Sequence, residues 1–245
     1  MDHEFWKAFE PKEEQESPRP VKAVEAEPAP PQTIMPNTYM AAGKMLEKHG
    51  DLQAAIGQYE RAIVAEPRLS AAYNSLGVLY QKMGRLDDAI LILSQGIKAD
   101  PGSAALRNNL GCAYLAQRKY PEAEKAFRDS LVKTPQFQRA RMNLAISLAN
   151  MGRTDESLIE FSRVVAPDVA HYNVAVICMQ RGDYGRCLNS LQQALAINPD
   201  CPGALEQLAR VERLAAGSAG ISKDATTDKA GTLAGTPVEG VGNVP

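Results

Sequence analysis

Residues 73–101 read YNSLGVLYQKMGRLDDAILILSQGIKADP. Large apolar residues, a Leu-Gly pair at Leu76 and Gly77, a glycine at Gly84 and acids at Asp87 and Asp88 follow one another in the order of a helix, a stop and a second helix. The same order returns on both sides of this stretch. Small residues recur at Gly43, Gly77, Gly111, Ala145 and Ala175, spaced by 34, 34, 34 and 30. A second small series, Ala55, Ala89, Ala123, Ser157 and Cys187, runs twelve residues behind the first. Four positions further on lie Tyr59, Leu93, Phe127, Phe161 and Leu191, all large and apolar. Prolines recur at Pro67, Pro101, Pro135, Pro167 and Pro199 and read as the ends of second helices or the links between repeats. A fixed period of this kind is the mark of a repeat architecture.

With Tyr73, Leu76, Gly77, Tyr80, Ala89, Leu93 and Pro101 in place, the stretch resembles the tetratricopeptide repeat (TPR), and the resemblance covers roughly residues 36–201. It implies an all-α fold: a right-handed superhelical solenoid of TPR helix-turn-helix repeats with a C-terminal capping helix. The repeats read as 36–69, 70–103, 104–137, 138–167 and 168–201, with the cap at 202–216. Small residues at the crossing of the two helices of a repeat let their backbones approach, and the large residues fill the space beside them. Gly50, Gly84, Gly152 and Gly182 read as helix stops, and Asp51, Asp87, Pro121, Thr154 and Asp183 as capping or first-turn residues of the second helices. The fourth repeat is four residues short, which predicts a shortened second helix and a change of angle between repeats four and five. Leu205, Leu208, Val211 and Leu214 form the apolar stripe of the expected cap. Residues 1–35, rich in proline and acids, and 217–245, rich in glycine, read as disordered tails, because neither buries enough apolar surface to offset its ordering entropy.

In this family the first helices line the inner surface, and partner peptides lie there. Carried over by repeat position, the inward residues are Asn37, Met40 and Lys44; Asn74, Val78 and Gln81; Asn108, Asn109, Cys112 and Leu115; Arg139, Met142, Asn143 and Ile146; and Tyr172, Asn173, Val176 and Met179. From these, Asn74, Asn108, Asn109, Arg139, Met142, Asn143, Tyr172, Asn173 and Met179 are the expected contacts of a protein or peptide partner. Asn109, Asn143 and Asn173 occupy one slot of successive repeats. Their amides can grip a peptide backbone, an arrangement similar to the asparagine ladder of O-linked N-acetylglucosamine transferases, or can bond to neighbouring helices. The carboxylate clamp of chaperone-binding relatives is not expected, since Met40 and Ala105 stand where lysines are needed.

Other chemistry is not indicated. A net charge of −2 offers no footprint for nucleic acid or an acidic membrane. The start MDHEFWKAFEPKEEQE lacks the apolar run of a secretory signal, which makes the cytoplasm the expected location. Cys112, Cys178, Cys187 and Cys201 contain no CxxC pair, so reduced packed thiols are expected and neither a metal nor a cofactor. His3, His49 and His171 accompany no nucleophile motif, and no phosphate loop occurs, which points away from an enzyme. An adaptor or scaffold is the leading expectation; an accessory protein of a secretion or pilus-assembly system and a regulatory subunit of an enzyme complex stand beside it. Phe5, Trp6 and Phe9 share one face of any helix they form, and could dock on a partner or back into the groove.

Overall fold

The computed structural model describes residues 35–227, with side chains through Ala215. Eleven helices and no strand occur among the described residues. They fall into two compact units, one ending at Ala166 and one beginning at Pro167. The first unit holds four helical hairpins: α1 (Pro36–Lys48) with α2 (Leu52–Ala65), α3 (Ser70–Lys82) with α4 (Leu86–Ala99), α5 (Ala104–Ala116) with α6 (Tyr120–Lys133), and α7 (Gln138–Asn150) with α8 (Thr154–Ser162). Each helix packs on the next in the chain, and the first helices also touch one another, α3 on α5 and α5 on α7. This is an all-α helical repeat solenoid. The second unit holds α9 (Pro167–Gln180), α10 (Tyr184–Ile197) and α11 (Ala204–Thr227), with α11 packed on α10.

The 34-residue period acts through one recurrent contact. A Cβ built on Gly43 would sit 2.6 Å from the Tyr59 ring, on Gly77 2.6 Å from Leu93 Cγ, and on Gly111 2.5 Å from the Phe127 ring. The small residue of the first helix is therefore the floor on which the large residue of the second lies. Tyr59, Leu93 and Phe127 are fully buried there, as are Ala55, Ala89 and Ala123 one turn earlier. In repeat four the crossing carries a hydrogen bond: Ser157 donates through Oγ to the Ala145 carbonyl at 2.8 Å.

Turns between paired helices need a residue in the left-handed region to expose the helix-terminal carbonyls to new donors. Gly50, Gly84, Gly152 and Gly182 have φ of +83°, +74°, +81° and +74°. Repeat three has no glycine at this position, and Arg118 takes φ +58° instead. A side chain there crowds the following carbonyl. Arg118→Gly is expected to raise the stability of this unit by about 1 kcal/mol, read as an upward shift of the urea midpoint; an unchanged or lowered midpoint would show that the turn carries no strain.

The second helices begin in two ways. Asp51 and Asp183 are side-chain caps, accepting from Ala54 N at 3.1 Å and Arg186 N at 3.2 Å. At α4, α6 and α8 the cap position is held by Arg85, Lys119 and Arg153, with Asp87, Pro121 and Thr154 inside the first turn. Arg85 and Arg153 compensate by pairing with Asp88 and Glu156 three residues on, each at 2.6 Å.

Helix α8 has nine residues where the other second helices have fourteen. The four residues missing from the period come out of its C-terminal end. Pro167 differs from the other repeated prolines: it is the first residue of α9 rather than part of a link. That site suits proline, which fixes φ and has no N–H to lose.

The apolar stripe expected on the last helix is only partly buried. Ala204 and Val211 are covered and Leu208 half-covered, whereas Leu205 and Leu214 are 64% and 41% exposed. The inward row is 204, 208, 211 and 215, a helical i, i+4, i+7, i+11 pattern, which rotates Leu205 and Leu214 away. The helix continues through Thr227, into the stretch expected to be a tail; no proline interrupts 204–227. The expected N-terminal tail through residue 34, with Phe5, Trp6 and Phe9, and the expected C-terminal tail beyond 227 lie outside the described residues.

Candidate functional site

The first helices of the first unit stack side by side, so positions that repeat every 34 residues come to lie in rows across α1, α3, α5 and α7. Asparagines from two adjacent rows, Asn74 and Asn108 in one and Asn109 and Asn143 in the next, join into one continuous chain. Asn143 on α7 donates through Nδ2 to Asn108 Oδ1 on α5 at 3.2 Å. Asn108 Nδ2 donates to Asn109 Oδ1 at 3.0 Å. Asn109 Nδ2 donates to Asn74 Oδ1 on α3. Gln81 Nε2 adds a bond from α3 to the Asn109 backbone carbonyl at 3.0 Å. Three repeats are thus joined by a directional relay of side-chain amides.

The relay explains why asparagine, a poor mid-helix residue, recurs here. An amide left unpaired in such a position costs about 1–3 kcal/mol, and here each amide satisfies the next. Asn108 and Asn143 are buried, at 1% and 7% exposure, and Asn143 also approaches Cys112 Sγ at 3.3 Å. Asn74 and Asn109 remain partly exposed at the open end. Among the described residues Asn74 Nδ2 has no hydrogen-bond acceptor, so an amide donor is left over at the surface of α3.

The remaining residues expected in the groove divide by depth. Met40, Leu115 and Ile146 are buried among the helices, and so contribute to the core. Val78, Cys112 and Met142 are partly exposed; Asn37, Lys44 and Arg139 are exposed. The apolar character of this face is therefore limited to Val78, Cys112 and Met142. In the second unit Asn173 is buried at 6% exposure, while Tyr172, Val176 and Met179 are half-buried. Tyr172 lies against the turn before α11: a Cβ on Gly203 would stand 3.0 Å from its hydroxyl. Burial, with Cys201 and Glu206 nearby, pushes that phenol up.

The thiols are packing groups. Cys178, Cys187 and Cys201 are buried and Cys112 partly so, and all four are free. Burial pushes Cys112 up to about 12 and Cys187 up to about 11, far from the thiolate a nucleophile or metal ligand needs. Among the described residues no group of three His, Cys, Asp or Glu is placed to hold a metal ion. No described helix is long and apolar enough to cross a membrane.

Charged groups pair both within repeats and between them. Glu47 on α1 accepts from Lys82 Nζ on α3 at 2.6 Å and from the Tyr59 hydroxyl on α2 at 3.0 Å. Burial, then the Glu47 bond and charge, push the Tyr59 phenol up to about 12. Arg153 reaches from the fourth repeat to Glu124 of the third at 2.6 Å. Arg141 and Arg163 share Glu160, each at 2.8 Å. The Glu47–Lys82 and Glu124–Arg153 pairs join successive repeats, since partners 35 and 29 residues apart are adjacent only after the repeats stack, whereas the Glu160 pairs lie within the fourth repeat.

One tetratricopeptide repeat model matches residues 40–104 and again 108–169, and a second tetratricopeptide repeat model matches 169–201. The chain belongs to the tetratricopeptide repeat family. Proteins of this family serve in general as scaffolds for protein–protein interaction, and they are generally not enzymes. No curated protein matches the sequence. Among solved structures, YrrB, described as a TPR protein with an unusual peptide-binding site, is 22% identical with a TM-score of 0.54, over 69% of this chain and 89% of that one. MamA is 21% identical with a TM-score of 0.55, over 66% and 90%. A tetratricopeptide repeat protein from Parabacteroides merdae ATCC 43184 is 16% identical with a TM-score of 0.59, over 77% of each chain. At these identities the likeness is one of fold.

Proposed function

We propose that this TPR protein is an adaptor that binds an extended peptide along the first-helix face of its first unit. The observation that carries the reading is the asparagine relay, which ends at Asn74 with a surface amide donor bonded to partly exposed Asn109 and one turn from Val78, while partly exposed Met142 holds the repeat position of Asn74 on α7. A peptide backbone has carbonyls to meet such a donor and side chains to lie on the apolar spots. The buried members, Asn108 and Asn143, hold the row in register, while Asn74, Asn109, Arg139 and Met142 make the contacts. YrrB, which shares the fold, has a peptide-binding site. A face of this size, with few exposed apolar residues, supports a Kd on the order of micromolar, near −8 kcal/mol.

Selection from a random peptide library against the full chain tests the reading. Peptides of about micromolar affinity are expected, and Asn74→Ala with Met142→Ala should weaken them at least tenfold, about 1.4 kcal/mol, while the circular-dichroism melt stays near that of the parent. Selected peptides that bind the double variant undiminished would place the site elsewhere.

A further inference from the structure

Charge is sorted by layer in the first unit. Helices α1, α3, α5 and α7 carry six basic residues, Lys44, Lys48, Lys82, Arg107, Arg139 and Arg141, and one acid, Glu47. Helices α2, α4, α6 and α8 carry nine acids and five bases. Lys82 is committed to Glu47 and Arg141 to Glu160. Lys44 and Arg139 are exposed and have no ion pair among the described residues. By helical spacing Lys44 follows Met40 by one turn, as Val78 follows Asn74, and Arg139 precedes Met142 by one turn. Both cations therefore belong to the face that bears the asparagine relay. Arg139 stands close enough to Cys112 on α5 for its charge to act on that thiol. An apolar-spotted face flanked by unpaired cations fits an acidic segment with large apolar side chains.

The chain itself contains such a segment. Residues 2–16, DHEFWKAFEPKEEQE, have six acids against two bases and carry Phe5, Trp6 and Phe9. Eighteen residues, 17–34, lie between the end of that segment and Met35, next to the start of α1. A random-coil chain of that length spans about 21–25 Å on average, and its five prolines favour a longer reach. Neighbouring packed helices stand about 8–10 Å apart, so the face from α1 to α7 is on the order of 30 Å across. A tether matched to its span gives a local concentration on the order of millimolar. That is ample for a site of micromolar affinity.

We infer that residues 2–16 dock on the first-helix face of repeats one to four, with Phe5, Trp6 and Phe9 on Val78, Cys112 and Met142 and the acids toward Lys44 and Arg139. The inference rests on the peptide-binding reading above and names an occupant for the same face: the chain's own segment, which an incoming acidic peptide must displace.

Trp6 is the chain's only tryptophan, so its fluorescence reports this segment alone. The full chain is expected to emit at shorter wavelength than a synthetic peptide of residues 1–16. The difference should persist on hundredfold dilution, shrink as salt screens the exposed charges, and vanish in Lys44→Glu with Arg139→Glu. Emission equal to that of the free peptide overturns the docking. So does a short-wavelength emission that survives the charge reversal, which puts the segment on another surface, or one that fades on dilution, which puts it on a second copy. A full chain with Phe5, Trp6 and Phe9 each changed to Ser should bind the library-selected peptides at least tenfold tighter than the parent; equal binding overturns the docking and leaves the peptide site standing. Failure to select any peptide, even with this variant, removes the adaptor reading and is recorded independently of Trp6.

Discussion

Phe127→Ala lowers the stability of the first unit by about 3–5 kcal/mol, the cost of emptying a fully buried aromatic site. Phe127 is 0% exposed and lies against Gly111 at the centre of the third repeat. Its neighbours α5 and α6 are the surfaces on which repeats two and four pack. A repeat array draws its stability from each repeat and from the interfaces between them, so weakening the third repeat also separates the second from the fourth. The urea midpoint should fall, and an early phase should split off from the main transition. A companion change identifies the mechanism. Gly111→Ala alone is expected to destabilise, because its Cβ would sit 2.5 Å from Phe127 Cε1; overpacking of this kind costs about 1–3 kcal/mol. The lower end applies, since repeats four and five carry Ala145 and Ala175 in the same slot. In the Phe127→Ala background the clash is gone, and alanine's better helix propensity, about 1 kcal/mol over glycine, should make Gly111→Ala stabilising. A substitution that keeps its sign in both backgrounds would show that Gly111 serves something other than a seat for Phe127.

Asn143→Asp is the second large effect. Asn143 is 7% exposed and donates through Nδ2 to Asn108 Oδ1. A carboxylate in its place has no donor and confronts the Asn108 oxygen; only the Cys112 thiol at 3.3 Å and the exposed Arg139 one turn earlier on α7 stand near it, and neither is a buried ion partner. The expected loss at pH 8 is about 3 kcal/mol, the lower end of the cost of a buried charge without an ion pair. Burial raises the aspartate's folded pKa above its unfolded value near 4. The folded state then binds more protons than the unfolded state between the two pKa values, so stability is lost as pH rises through the folded pKa. At pH 4–5 the protonated acid again offers a hydrogen to Asn108, and much of the loss should be recovered. Asn143→Leu lacks this pH dependence and should cost about 1–3 kcal/mol at every pH through the acceptor left open on Asn108. Chemical denaturation of the two variants at pH 5 and pH 8 measures the difference. Parallel stabilities at the two pH values would mean that position 143 reaches solvent and the relay is dispensable.

The fold was legible because its determinants are local in the period. Each small residue meets a large one sixteen positions later, as in Gly77 and Leu93 or Gly111 and Phe127, and that contact lies inside a single hairpin. Five copies in register leave little freedom for another architecture. The shortened α8 was legible for the same reason, as a deficit in the period. The stripe of α11 was read less well. Leu205 and Leu214 fit a helical repeat as well as Val211 does, and only the packing partner decides which row turns inward.

The site was legible in its residue types and illegible in its depth. Asn74, Asn108, Asn109 and Asn143 stood out as recurrent polar residues on first helices. That Asn108 and Asn143 are buried links of a relay, while Asn74 and Asn109 remain at the surface, depends on how α3, α5 and α7 are stacked. The unlike charges of the two layers were present in the sequence too, but gained meaning only once the layers existed.

By itself the amino-acid order determined the helices, their pairing and the repeat that sets which side chains share a row, because those depend on spacing along one chain. Tertiary structure alone decided which members of a row meet each other and which meet solvent. The reason is that a side-chain amide's partner lies about 35 residues away, at a distance set by the packing of neighbouring repeats and by no property of the amide's own helix.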